Sequence, residues 1–119
     1  MILYTAQNNY YGDDRLDITV KGNHPIGSLF APTWDMVKQH KSKSINDLEY
    51  TYLYWKLIGS RLKEKKGIDT LETILSQTMV TLVCFCKPNK FCHRHIAAHI
   101  LNDMILPRGY YVEYKGERK

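Results

Sequence analysis

Reactive side chains concentrate in residues 83–96, which read V-C-F-C-K-P-N-K-F-C-H-R-H-I. All three cysteines of the chain, two of its five histidines and one of its five arginines lie there. Thiol, imidazole and guanidinium groups between an apolar run and an amphipathic run indicate a site at a strand-to-helix turn. A helix N-terminus offers unpaired amides and partial positive charge, which bind anions and lower the pKa of a nearby thiol. Cys92 opens such a helix beside His93 and Arg94. Cys92 is therefore the favoured thiolate, with Cys86 second; His93 is the candidate base and Arg94 the candidate anion ligand. Cys84 reads mainly as a small hydrophobe inside the preceding strand. The Cys-x5-Arg loop of phosphatases and sulfurtransferases is not matched. Seven residues separate Cys86 from Arg94, and one separates Cys92 from Arg94.

Zinc is the rival chemistry, because Cys84, Cys86, Cys92, His93 and His95 are all zinc-ligand types. Alternate residues of a strand share a face, so the sulfurs of Cys84 and Cys86 can converge. His95 and His99 fall on one helical stripe with Cys92, although histidines so placed more often face solvent. The alternative metal set is Cys84, Cys86, Cys92 and His95.

The elements that must position these groups follow from periodicity. Residues 79–85 are nearly all apolar and too few for a good helix, so they read as a central strand buried on both faces. Pro88 and Asn89 within 87–90 end it. From Cys92, the apolar positions Ile96, Ala97, Ile100, Leu101 and Met104 predict an amphipathic helix, stopped at 107–109 by Pro and Gly. Residues 110–114 read as a last strand, making strand, helix, strand a right-handed crossover with a parallel pair. Upstream, 2–5 reads as a first strand. Residues 16–21 alternate, with Leu16, Ile18 and Val20 inward and Asp17, Thr19 and Lys21 outward. Thr33 caps a short helix over 34–39. Trp34 at its start reads as a core anchor before a ligand platform.

Leu48, Tyr52, Trp55, Ile58 and Leu62 recur at helical spacing and predict the longest helix, over about 45–65, with Ser44 and Asp47 as a weak capping box. Tyr50 and Tyr54 form a neighbouring stripe that faces a core edge or a pocket. After Gly67, Asp69 and Glu72 suggest another capped helix, through Leu75.

The chain of 119 residues has the size of one α/β domain, residues 1–119, with a small, mostly parallel sheet and helices on both faces in three layers. No apolar run approaches the ~20 residues that span a bilayer, and the N-terminus lacks a basic flank. No membrane and a cytoplasmic location are the expectations. Three cysteines clustered in nine positions do not form a disulfide framework. The formal charge of +5 favours anionic partners. Its basic runs, 38–43 and 61–66, read first as solvated helix ends and second as a nucleic-acid surface. Neither a P-loop, a G-x-G-x-x-G fingerprint nor an RNP signature is present.

The run L-V-C-F-C-K-P-N-K-F-C-H-R-H-I-A-A-H-I-L resembles the bacterial and phage family catalogued as domain of unknown function 488, particularly its short phage members. Further matching stretches are L-D-I-T-V-K at 16–21, F-A-P-T-W at 30–34, Tyr50 with Tyr54, and Y-K-G-E at 114–117. Many relatives carry Glu at the position of Cys86. The resemblance implies a three-layer α/β fold, a phage or prophage source, and a pocket that joins these stretches. It promotes Thr19, Lys21, Trp34 and Glu117 to pocket candidates beside Cys92, His93 and Arg94. It names no reaction. The expected function is binding or processing of a nucleotide-like or other anionic small molecule. The alternatives are a zinc protein, and a basic protein that binds nucleic acid or a host protein.

Overall fold

A computed structural model of the chain describes residues 1–86, 91–104 and 110–118. In chain order it contains β1 (Ile2–Gln7), β2 (Arg15–Asp17), a 3-10 turn (Gly27–Phe30), α1 (Trp34–Lys41), α2 (Asp47–Arg61), α3 (Lys65–Leu75), β3 (Met79–Cys84), α4 (His93–Met104) and β4 (Glu113–Glu117). The class is α/β: four α-helices and a four-stranded sheet ordered β2-β3-β1-β4, with every pair parallel, among the described residues. The stops expected at 87–90 and 107–109 lie outside those residues.

The apolar run at 79–85 becomes the inner strand β3, buried from Val80 to Cys84. Such burial requires side chains without charge on both faces. On one face Leu3, Val80, Leu82 and Cys84 join the single apolar cluster with residues from all four helices. On the other, buried Thr81 meets Asp14 and receives the Arg118 Nε at 3.0 Å, while the Arg118 guanidinium lies 3.9 Å from the Tyr4 ring centre.

Several boundaries differ from the sequence reading, each for a local reason. The strand expected over 16–21 is only three residues long. Beyond Asp17 its carboxylate accepts from the Thr19 amide at 2.8 Å and the Thr19 hydroxyl at 2.7 Å, turning the chain away from the ladder. Thr33 caps α1 as expected, accepting from the Met36 amide. The cap of α2 is Asn46 with Glu49, a reciprocal box, rather than Ser44 with Asp47. Its buried face is Tyr50, Tyr54 and Ile58, while Leu48, Tyr52 and Trp55 are exposed. The last strand is not 110–114 but Glu113–Glu117; Tyr110 and Tyr111 are exposed ahead of it. It pairs with β1, so β1 lies between β3 and β4, and the crossover through α4 passes over a strand.

Helix α3 begins before Gly67, not after it. Gly67 is buried where the chain returns close to the end of α2. A Cβ there would stand 2.0 Å from the Arg61 carbonyl oxygen, which only a glycine avoids. Arg61 itself fastens α2 to the 3-10 turn, donating to the carbonyls of Ser28 at 3.0 Å, Leu29 at 2.8 Å and Ala31 at 2.7 Å. Tyr54 adds a buried 2.6 Å hydrogen bond to the Phe30 carbonyl. These contacts fix the segment that leads into α1.

Gly67→Ala should destabilise the protein by roughly 1–3 kcal/mol, the usual cost of overpacking a fitted contact. Gly59→Ala, at a helical site where a Cβ meets nothing within 4 Å, should be neutral or stabilising by up to about 1 kcal/mol in dilute protein. Urea titrations of the two variants check both; equal effects would contradict the close approach at Gly67.

Candidate functional site

The carboxyl ends of parallel strands, where loops meet helix N-termini, are the usual place for an α/β site. Here β3 ends at Cys84, β2 leads into Ile18 and Thr19, β4 ends at Glu117, and α4 starts at His93. Cys92 immediately precedes that helix, and its carbonyl accepts from the His95 amide at 3.1 Å.

His93 is buried and reaches sideways to the segment after β2. Its Nε2 lies 2.8 Å from the Ile18 carbonyl oxygen, which can only accept, so Nε2 carries the proton. Burial, followed by the positive charge of Arg94, lowers its pKa from 6.5 to about 4, against the opposing effects of the Ile18 bond and Asp17. The neutral ring therefore leaves Nδ1 as a free base, 3.7 Å from the Cys92 Sγ.

Cys84 and Cys92 bring their sulfurs into contact. Their Cα atoms are 7.9 Å apart, beyond the roughly 4.4–6.8 Å that disulfides span, so we treat them as two converging thiols rather than a crosslink. The Cys84 and Cys92 sulfurs and a ring nitrogen of His93 all lie within 4.8 Å of one another. Cys84 thus belongs to this cysteine and histidine cluster as well as to the strand core. Cys86 and His95, in the metal set expected from sequence, do not join this group. Burial raises the Cys86 thiol pKa, partly offset by Arg94, and burial lowers that of His95.

Arg94 turns the opposite way from His93 and is fully buried. Its Nε and Nη2 donate to the two carboxylate oxygens of Glu117 at 3.1 and 2.5 Å, and its Nη1 donates to the Cys84 sulfur and the Cys86 carbonyl, each at 3.0 Å. Burial raises the Glu117 pKa, but hydrogen bonds from Arg94 and Thr5 outweigh it and hold the carboxyl below the ordinary range. The sequence candidates Arg94, Glu117 and His95 do not line the cavity beside these groups.

The cavity has a volume of about 510 Å3, and its lining joins Cys84, Cys86, Cys92 and His93 to Thr19, Lys21 and Trp34. Trp34, half exposed, is a wall of this space rather than a core anchor. Sequence reasoning did not single out His40, Lys41 or Phe91, which also line it. The His40 ring packs at a tilt, its centre 5.0 Å from that of Tyr50 and 5.1 Å from that of Phe91, and its Nε2 pairs with Asp47 at 2.7 Å. The one available signal was the Tyr50 and Tyr54 stripe, whose first member reaches the cavity. Lys41 belongs to the basic run 38–43, so part of that run lines this cavity. No helix among the described residues is long and apolar enough to cross a membrane.

A family model described as the active DUF488-N3 subclade matches residues 26–105, so the chain belongs to the DUF488 family. Searches of curated proteins and of solved structures gave no significant match.

The depressed pKa of His93 has a sign that can be measured. An unfolded chain takes up a proton near pH 6.5 that the folded chain resists until about pH 4. Stability should therefore fall as pH drops through that window and level off below it, by on the order of 3 kcal/mol. Glu117 works at lower pH, its contribution being lost as pH falls through its depressed folded value. Urea midpoints of chelator-treated protein between pH 7 and 4 test this. His93→Gln, which can still donate to Ile18, should remove most of the slope, leaving the part due to His95; an undiminished slope would refute the assignment.

Proposed function

We propose that this DUF488 protein is a small-molecule enzyme whose ligand is an aromatic anion of the nucleotide class, processed above Cys92 and His93. The observation that carries the reading is the fixed tautomer of His93, which presents the Nδ1 lone pair to the Cys92 thiol at the floor of the cavity. In the reacting step the Cys92 proton passes to Nδ1, and the thiolate attacks an electrophilic carbon of the ligand. As the bond from that carbon to the departing group breaks, that group takes the proton back from Nδ1; water, giving its own proton to Nδ1, then displaces Cys92 from the carbon, and the released thiolate recovers the proton. Trp34, Tyr50, Phe85 and Phe91 offer flat apolar surfaces to a ring, and Lys21 and Lys41 offer cations to its anionic substituent. Arg94 is a positioning residue here, holding Cys84 and the start of α4 through Glu117. The matched subclade's description as active agrees with a reacting centre.

A second reading rests on the convergence of the Cys84 and Cys92 sulfurs with His93. These are three zinc-type ligands beside an open cavity, the pattern of a catalytic rather than a structural site. A histidine that donates its other ring nitrogen to a backbone carbonyl is also the usual support of a metal ligand. In that case the ion, and not the Cys92 thiolate, supplies the chemistry.

Trp55→Phe protein leaves Trp34 as the only tryptophan, so its fluorescence reports ligand entering the cavity. Nucleoside monophosphates should quench it saturably, ribose 5-phosphate and inorganic phosphate should not, and Lys21→Ala with Lys41→Ala should weaken the response about tenfold or more. No response to any nucleotide would sink the ligand class. For the chemistry, iodoacetamide labelling of Cys92 mapped by mass spectrometry should slow at least about tenfold in His93→Gln. Metal analysis of protein purified without chelator or histidine tag separates the readings. About one equivalent of zinc, lost in Cys84→Ser, selects the metal site, and less than about a tenth selects the thiol.

A further inference from the structure

The outer face of α2 carries a row of large apolar side chains. Leu48, Tyr52 and Trp55 are 78%, 62% and 39% exposed, yet with Gly59 they follow one another at spacings of four, three and four. That is the spacing of a two-helix seam, in which side chains of one helix enter gaps of another. The helix already buries a different face, Tyr50, Tyr54 and Ile58, against its own domain. Gly59 faces open space, with nothing within 4 Å of where its Cβ would stand. It leaves a socket at the end of the seam opposite Leu48.

Charge along the edge of this seam selects the occupant. Glu49 and Lys56 flank it on the same side, both exposed, and Lys56 lies 5.4 Å from the Tyr52 ring centre. Asp47 and Glu49 occupy the first turn, and Arg61 the last. A second copy of the same helix running antiparallel places Glu49 beside Lys56 of the other copy, twice, by the two-fold axis. It also stacks Tyr52 against the other copy's Trp55 and lays each Leu48 over the other copy's Gly59. A parallel pairing puts like ends together and gains none of these contacts.

We propose that α2 is a self-association surface, through which two copies of the chain form an antiparallel, two-fold dimer on Leu48, Tyr52, Trp55 and Gly59. The cavity lies on the other side of α2, at Tyr50, so the dimer leaves both sites open. This proposal stands apart from the reading of the cavity.

Sedimentation equilibrium over a concentration series tests it with the full chain. The mass should rise from that of the 14.0 kDa monomer toward twice that value. Leu48→Ser and Trp55→Ser should each raise the dissociation constant about tenfold or more. Glu49→Gln, which can still cap α2, and Lys56→Gln should each weaken association, and the double variant should weaken it little further, because the two groups form one pair. All four positions are exposed, and far-UV circular dichroism checks that each variant is folded. A monomer at every concentration up to about 1 mM overturns the proposal. Association that survives Leu48→Ser and Trp55→Ser overturns it too, since another surface must then be responsible, and fully additive losses in the Glu49→Gln, Lys56→Gln double variant overturn the antiparallel arrangement.

Discussion

A guanidinium removed wholly from water carries a desolvation cost of several kcal/mol unless its donors and its charge are matched. Arg94 meets that condition at one place in the fold, where a carboxylate from β4, a sulfur from the end of β3 and the Cys86 carbonyl surround it. The preceding residue, His93, points about 100° around the helix and is held by the carbonyl of Ile18 beyond β2. The first turn of α4 is thus tied to both edges of the sheet at once, by Arg94 to β4 and by His93 to the β2 side. Cys92 sits immediately before this double anchorage, so its position follows from two neighbours whose partners lie on opposite flanks.

Parallel strands make this arrangement available. Their carboxyl ends lie along one edge of the sheet, so Cys84, Ile18 and Glu117 arrive together although they are far apart in sequence. The remaining wall comes from α1 and α2, and it is kept in place by contacts away from the cavity. Arg61 gathers three carbonyls of the turn before α1, and Tyr54 gathers a fourth. A basic residue that composition assigns to a solvated run therefore satisfies backbone groups that would otherwise lie partly buried without partners.

The place where these side chains gather was legible because its parts are local. A run buried on both faces has few alternatives to an inner strand, and a cluster ending in Cys-His-Arg before an amphipathic stretch marks a strand-to-helix turn. The face of α2 was not legible. That helix carries apolar residues on two stripes, and periodicity detects a helix without saying which stripe the sheet covers. Leu48, Tyr52 and Trp55 made the more regular pattern and are outside; Tyr50 and Tyr54 are inside because their ring bodies pack while a hydroxyl reaches a carbonyl. The last strand was displaced for a related reason. Aromatic composition favoured residues 110–114, but an edge strand needs only one covered neighbour, and the polar segment at Glu113–Glu117 fills that place. Glu117 had no spacing signal of its own, since its partner lies 23 residues away; only the family resemblance singled it out.

Charge balance decides what the two converging sulfurs can do. Among the described residues Arg94 is paired with Glu117, so much of the positive charge beside the sulfurs is already balanced. Ionising Cys92 by loss of its proton to bulk water leaves a net negative charge in a setting that penalises it. In the thiol reading proposed above, passing the same proton to His93 would keep the cluster neutral overall, and the depressed basicity of that imidazole would favour its return to a departing group. A dication is the other solution, because it balances two thiolates at once and allows both Cys84 and Cys92 to ionise. The two chemistries therefore differ in the resting state of the sulfurs: both rest as thiols in the first, with Cys84 accepting from Arg94, and both as thiolates in the second. The protein scaffold around the cluster is the same in both cases, with His93 held in one tautomer and the cavity open above it.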